Sequence, residues 1–253
     1  MKFNIFFHLN SHKIFFYLFL LTFVFQIFFW KFLEKNPQNN FELIPAPPTE
    51  NMASILSLGD KEFLFRALGL RLQNSGDIFA GFVALKNYNY SNIYGWMKLL
   101  DSLNYESNFI PSLASYYYSQ TQKTEDSIYI INYLDEHASQ DIDKKWWWML
   151  QAVYVAKKNL KDEDLTLKLA YKLSENNNPK APLWTKQLAA FFHRDLGNDC
   201  LAFKIVENLI KEVEDGKRTS SVEDLNFMRF FIKERLKNLK EQKFDPNKCQ
   251  NNL

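Results

Sequence analysis

Four histidines, two cysteines and a scatter of carboxylates are the residues of this 253-residue chain with obvious chemical potential. His8 and His12 stand four apart, a spacing that puts both imidazoles on one helix face, but no third metal ligand lies near them. The other two are His137 and His193. Neither a His-Glu-x-x-His nor a Cys-x-x-Cys pattern occurs, and neither Cys200 nor Cys249 has a histidine within local reach. Gly76 and Gly81 have the spacing of a phosphate loop, yet Phe82-Val83 stands where Lys and Ser/Thr are needed. The acidic turn Lys161-Asp162-Glu163-Asp164 lacks the alternating ligands of a calcium loop and reads as a helix start favoured by the dipole. Asn89-Tyr90-Ser91 fits the glycosylation pattern, which a chain rich in Asn produces by chance. No catalytic residue, cofactor or metal ligand is assigned, and the expectation is a non-enzymatic role.

Residues that bind are better represented than residues that react. Tyr116-Tyr117-Tyr118 and Trp146-Trp147-Trp148 are consecutive triplets. Successive helix positions point about 100° apart, so at least one of each triplet must leave the core for a groove or the surface.

These side chains have to be positioned by something, and composition bounds it. The chain is 47% apolar, enough for a real core, and 17% aromatic, with only 7 Gly. Its 31 basic and 29 acidic residues are well mixed, which gives no electrostatic reason to expect nucleic acid. Two cysteines exclude a disulfide-stapled mini-fold.

After a short segment 1–13, Ile14–Trp30 carries no charge. Seventeen residues at ~1.5 Å each span roughly 26 Å, the short end of a membrane crossing. Phe32 and Leu33 lengthen it if Lys31 snorkels, and Tyr17 and Trp30 suit the interfaces. A cleaved signal peptide or a buried core helix is the alternative. The absence of small residues before Lys31 argues against cleavage. Residues 14–33 therefore read as an uncleaved signal anchor. Lysines tie at two on each side of it, and the α-amino group tips the N-terminus inside, with the bulk of the chain outside the cytoplasm.

Residues 34–55 hold Pro37, Pro45, Pro47 and Pro48, half of all prolines, and read as an extended tether. The remainder is helical in pattern. Asp60 is the expected N-cap of a helix with Phe63, Ala67 and Leu70 as its apolar stripe. Another helix starts near Ser91 and completes an N-terminal helical region, 56–108. From 109 to 212 the pattern repeats. A shift of 36 residues lays Trp148 on Trp184, Gln151 on Gln187, Leu160 on Leu196, Leu165 on Leu201 and Leu173 on Leu209. Each unit is a helix, a short polar turn and a second helix. A final helix begins at Ser220-Ser221-Val222-Glu223 and runs through Leu225, Met228, Phe231, Ile232, Leu236 and Leu239, so that 213–241 caps the stack. Residues 242–253 form a loose tail.

Trp148, Ala152, Val155, Ala170 and Pro179, then Trp184, Leu188, Phe191, Gly197 and Ala202, resemble the tetratricopeptide-type motif. The Gly expected after the first Leu is missing, and the period is 36 rather than 34. The resemblance implies an all-α chain: a right-handed stack of antiparallel helix pairs with a concave face that holds a partner. The whole chain also resembles bacterial membrane-anchored proteins with such repeats, a likeness that carries no activity with it.

In that register the concave face is lined by Leu113, Tyr117 and Thr121, then Trp146, Met149, Val153 and Lys157, then Thr185, Ala189 and His193. Of these, Leu113, Tyr117, Trp146, Met149, Val153, Lys157 and His193 are the expected partner contacts. Packing within and between repeats is the plainer use of the same residues. The functional expectation is a single-pass, non-enzymatic adaptor at the bacterial inner membrane, binding another membrane or envelope protein. The alternatives are a membrane-tethered enzyme or binding protein for a lipid-like or glycan ligand, and a structural subunit of a membrane complex.

Overall fold

The computed structural model describes residues 11–34, 43–75, 77–78 and 81–235. It divides into two compact units, Met1–Glu42 and Leu43–Leu253.

The first unit is helix α1 (Ser11–Glu34). No Gly or Pro interrupts it, and the Thr22 hydroxyl in its middle donates back to the Phe19 carbonyl at 2.9 Å. Phe19 stacks on Phe23 and Phe25 on Phe29, each four residues apart. Every side chain from Ile14 to Phe29 is exposed. The expected span at 14–33 is thus a helix in the expected place. No helix among the described residues, however, is long and apolar enough to cross a membrane.

The second unit is helical apart from a hairpin of two-residue strands, β1 (Asp77–Ile78) and β2 (Gly81–Phe82). The expected tether to residue 55 is corrected from Leu43 onward, because that segment is docked. Trp96 Nε1 donates to the Pro45 carbonyl at 2.7 Å, and Asn92 Nδ2 to the Ile44 carbonyl at 2.9 Å. Pro47 lies so close to Gly95 that a Cβ there would be 2.9 Å from its ring. Helix α2 (Glu50–Leu56) follows, capped by Thr49, with Ala53 buried.

Helix α3 (Lys61–Gln73) starts at Asp60, whose carboxylate accepts from the Phe63 N–H at 2.8 Å. Its buried face is Leu64, Phe65, Gly69 and Leu72, so the expected stripe of Phe63, Ala67 and Leu70 faces outward. With Met52, Ile55 and Leu56 of α2 exposed as well, α2 and α3 both present apolar side chains to the outside. Helix α4 (Tyr90–Leu103) buries Ile93, Trp96, Leu99 and Leu100.

A one-turn helix α5 (Phe109–Ser112) continues as a π-helical turn, Leu113–Tyr117. Then come α6 (Ser127–Ser139) and α7 (Ile142–Val155), the latter ending in a π turn, Ala156–Leu160. Next are α8 (Glu163–Ser174), α9 (Trp184–Asp195) and α10 (Asp199–Glu214). From α6 to α10 each helix packs chiefly on the next in the chain. Helices α6, α8 and α10 begin at residues 127, 163 and 199, spaced by 36 and 36. Lys161 and Gly197, also 36 apart, both have positive φ, 54° and 77°, in the turns before α8 and α10. Gly takes that conformation without cost, whereas Lys161 holds it against the Cβ clash.

Helix α11 (Val222–Phe230) opens on a capping box between Ser221 and Asp224, one residue later than the expected Ser220–Glu223 pairing. It ends in a third π turn, Phe231–Arg235. Leu236, Leu239 and the tail lie outside the described residues. Two apolar clusters result. The larger runs from Ile44 to Phe192. The smaller gathers Leu183, Ala190, Ala202, Val206, Leu209, Met228 and Phe231.

Candidate partner-binding site

The π turn at Leu113–Tyr117 holds an extra residue, which shifts the phase of the side chains that follow. Tyr118 is driven fully inward and its hydroxyl donates to the Leu72 carbonyl at 2.8 Å. Burial there raises its phenol far above the ordinary range, so it stays a donor. Tyr116 and Tyr117 are left outside, 55% and 43% exposed.

The tryptophan triplet on α7 divides the same way. Trp148 is buried and donates Nε1–H to Asn108 Oδ1 at 3.0 Å; Trp146 is half-buried; Trp147 is 42% exposed. Trp147 Nε1 donates to the Tyr116 hydroxyl at 3.0 Å, and its ring stands perpendicular to Trp146 at 5.7 Å. Seven residues along α7, two turns on the same face, Tyr154 is 47% exposed. Tyr116, Trp147 and Tyr154 therefore form an aromatic ledge whose central indole is held in place by its own hydrogen bond.

Only part of the expected groove survives. Met149 and Val153 are 0% exposed, and Leu113 and His193 are buried, so these four cannot touch a partner in this conformation. The reason is phase: on α7 the 149/153 face turns to the core and the 147/154 face away from it. Tyr117 is exposed but packs edge-on against Tyr118 at 5.0 Å. Lys157 is committed elsewhere, with its ammonium 3.2 Å from Asp195 and 4.1 Å above the Phe192 ring. Burial pushes the Asp195 carboxyl up, but Arg194 and Lys157 outweigh it and hold the group below its ordinary range. His193 Nε2 lies 2.6 Å from the Tyr171 hydroxyl while Nδ1 is buried without a partner among the described residues, and burial lowers its basicity. Neutral imidazole is the consequence. Tyr116, Trp147 and Tyr154 are exposed aromatic residues that the expected groove did not include, although the seven-residue spacing of the last two is readable.

A second cluster joins α4 to α6. His137 Nδ1 lies 2.6 Å from Asp101 Oδ2, and the Tyr133 hydroxyl donates to Asp101 Oδ1 at 2.8 Å. Both edge a cleft of roughly 210 Å³. A carboxylate-oriented imidazole is the pattern of a general base, but His137 Nε2 is buried with no partner among the described residues, and the neighbouring Ser102 hydroxyl donates to the Leu99 carbonyl. As built, the pair clamps two helices together. No group of three His, Cys, Asp or Glu residues able to hold a metal occurs among the described residues, and His8 lies outside them.

No protein-family model matches the chain, and no curated protein or solved structure matches it either.

Proposed function

We propose that the protein is a membrane-anchored helical-repeat scaffold that holds a segment of another membrane or envelope protein on the Tyr116–Trp147–Tyr154 ledge. The observation that carries it is the ledge itself: three large aromatic side chains outside the core, with the central indole fixed by Tyr116. Aromatic residues of this kind dominate binding energy when a partner covers them, at little entropic cost if already held. An amphipathic helix or peptide segment is the partner chemistry they suit.

The repeat reading is supported by the 36-residue spacing of three helix starts and by the matched left-handed turns at Lys161 and Gly197. The anchor reading is supported by α1. A helix apolar on all sides is stable in an apolar medium and not in water. Its seventeen uncharged residues sit at the lower limit of a crossing, which snorkelling lysines and local thinning of the bilayer accommodate.

The test is in-cell photo-crosslinking from a probe at Trp147 in the full-length protein. A discrete protein adduct, lost with Tyr154→Ala, is the expected result. Labelled lipid or glycan instead would move the reading to a tethered enzyme or binding protein, for which the Asp101–His137 cleft would be the place to look.

A further inference from the structure

The α8–α9 loop and the α10–α11 loop face each other across a cleft of roughly 590 Å³. Its wall carries Lys180, Lys186, Lys217 and Arg218, with Asp224 the one carboxylate among the described lining residues, and Lys217 is paired with Asp215 at 3.0 Å. Asp224 is already engaged at the start of α11, where it meets Ser221.

Lys186 is the unusual member. It is only 8% exposed, and its ammonium donates to the main-chain carbonyls of Ser174, at 2.8 Å, and Asn176. Among the described residues no carboxylate forms an ion pair with it. Arg218, in the same wall, is bonded to Glu212 and reaches Asn177 Oδ1 at 3.5 Å. A buried cation that meets only neutral acceptors is costly. The consequence is visible in the ammonium itself: burial pushes it down to about 8, and the charge of Arg218 pushes the same way, against a weaker opposing pull from Glu212 and Asp143.

We propose that this cleft binds a phosphate monoester, its oxyanion seated between Lys186 and Arg218 with Lys180 and Lys217 at the rim. The charge arithmetic favours phosphate over carboxylate. Lys180 and Lys186 have no carboxylate partner among the described residues, whereas Arg218 and Lys217 are paired with Glu212 and Asp215. Two open cations such as Lys180 and Lys186 match a group carrying about −1.5 to −2 charges at neutral pH, and one carboxylate would leave half of that charge uncompensated. Arg218 adds a planar donor fork suited to such an oxyanion. The volume falls within the range of organic-ligand sites, so the phosphate comes with a body attached. That body is either a soluble ester or a phospholipid headgroup.

The experiment is a calorimetric titration of full-length protein, in non-ionic detergent at low salt and neutral pH, with inorganic phosphate. Saturable binding with a dissociation constant on the order of 1 mM or tighter is expected. Lys186→Met should weaken it about tenfold or more, which is the effect of one charge-assisted contact. Lys145→Met is the control. Lys145 is also buried on main-chain carbonyls, those of Tyr105 and Glu106, but lies outside this cleft. Its loss should leave phosphate binding as in the parent. If Lys186→Met does not fold, the exposed pair Lys180→Gln and Lys217→Gln carries the test, with a loss of roughly tenfold expected from the two together. Absence of saturable binding, or affinity unmoved in a folded Lys186→Met or in the Lys180/Lys217 pair, overturns the proposal. Competition then separates the sources: glycerol phosphate displacing the phosphate signal marks a soluble ester, and displacement by phosphatidate vesicles alone marks a headgroup.

Discussion

Trp147 and Trp148 are neighbours in the chain and opposites in consequence. Trp148→Ala empties a core site and removes the bond to Asn108, so a loss of roughly 3–5 kcal/mol in stability is expected, read from chemical denaturation. Trp147→Ala should leave the melting temperature within a degree or two yet weaken partner capture by more than about tenfold, as loss of a central aromatic anchor does. A destabilisation as large as that of Trp148→Ala would place Trp147 in the core and dissolve the ledge. Lys161 makes a different prediction. Its φ of 54° is strained for any side chain, so Lys161→Gly should gain about 0.5–1 kcal/mol despite the added freedom of the unfolded chain. Lys186 ties stability to pH. Burial holds the folded-state ammonium down at about 8, below its ordinary 10.5, so the unfolded chain holds more protons between those two values. Stability contributed at this site therefore rises with pH from about 8, and the penalty is fully present below that. Above about 10 the buried tyrosines act in reverse, since burial raises Tyr88 and Tyr105 to about 12 and the unfolded chain loses those protons first. Denaturation of parent and Lys186→Met between pH 7 and 9.5 should show the parent gaining stability relative to the variant as pH rises; a constant difference would sink the account.

Among the elements, starts were more legible than faces. Asp60 and the acidic turn at Asp162 announce helices because a side-chain oxygen that satisfies a free N–H must sit at one particular place. Faces are ambiguous wherever both sides of a helix are apolar. In α3, Phe63/Ala67/Leu70 and Leu64/Leu68/Leu72 are equally good stripes at helical spacing, and the choice was made by packing: Phe109 and Ile110 close on Gly69 and so select the second. The π turns erased another part of the reading. An inserted residue at Leu113–Tyr117 or Ala156–Leu160 rotates everything beyond it, and nothing in composition marks where it falls. That is why the inward turn of Tyr118 was not readable although Tyr117 is exposed as expected; Trp147 precedes the second π turn on α7 and was displaced by the assumed repeat register alone. The tether failed for a simpler cause: proline-rich chain reads as free unless its partner is known, and here the partner is α4. Gly95→Ala tests that docking. Its new methyl would meet Pro47 at 2.9 Å, so residues 43–48 should become accessible to limited proteolysis while α6–α10 stay protected from hydrogen exchange.

For the molecule as a whole, sequential packing from α6 to α10 means that each helix depends mostly on its neighbours, so damage should stay local. The two apolar clusters sharpen this. Met228 and Phe231 of the last helix region close the smaller cluster over Ala190, Ala202 and Val206. Met228→Ala should cost about 2–5 kcal/mol and be felt first as lost exchange protection in α10 and α11, with α4 to α7 unaffected. The same closure has a temporal side. A chain made from its N-terminus completes the larger cluster while residues 199–231 are still being added. At roughly 5–20 residues per second, the apolar face of α9 then waits seconds for its lid. During synthesis the unfinished end of this protein is a natural client for chaperones, and a ribosome stalled shortly before Met228 would release a chain that is folded at one end and adhesive at the other.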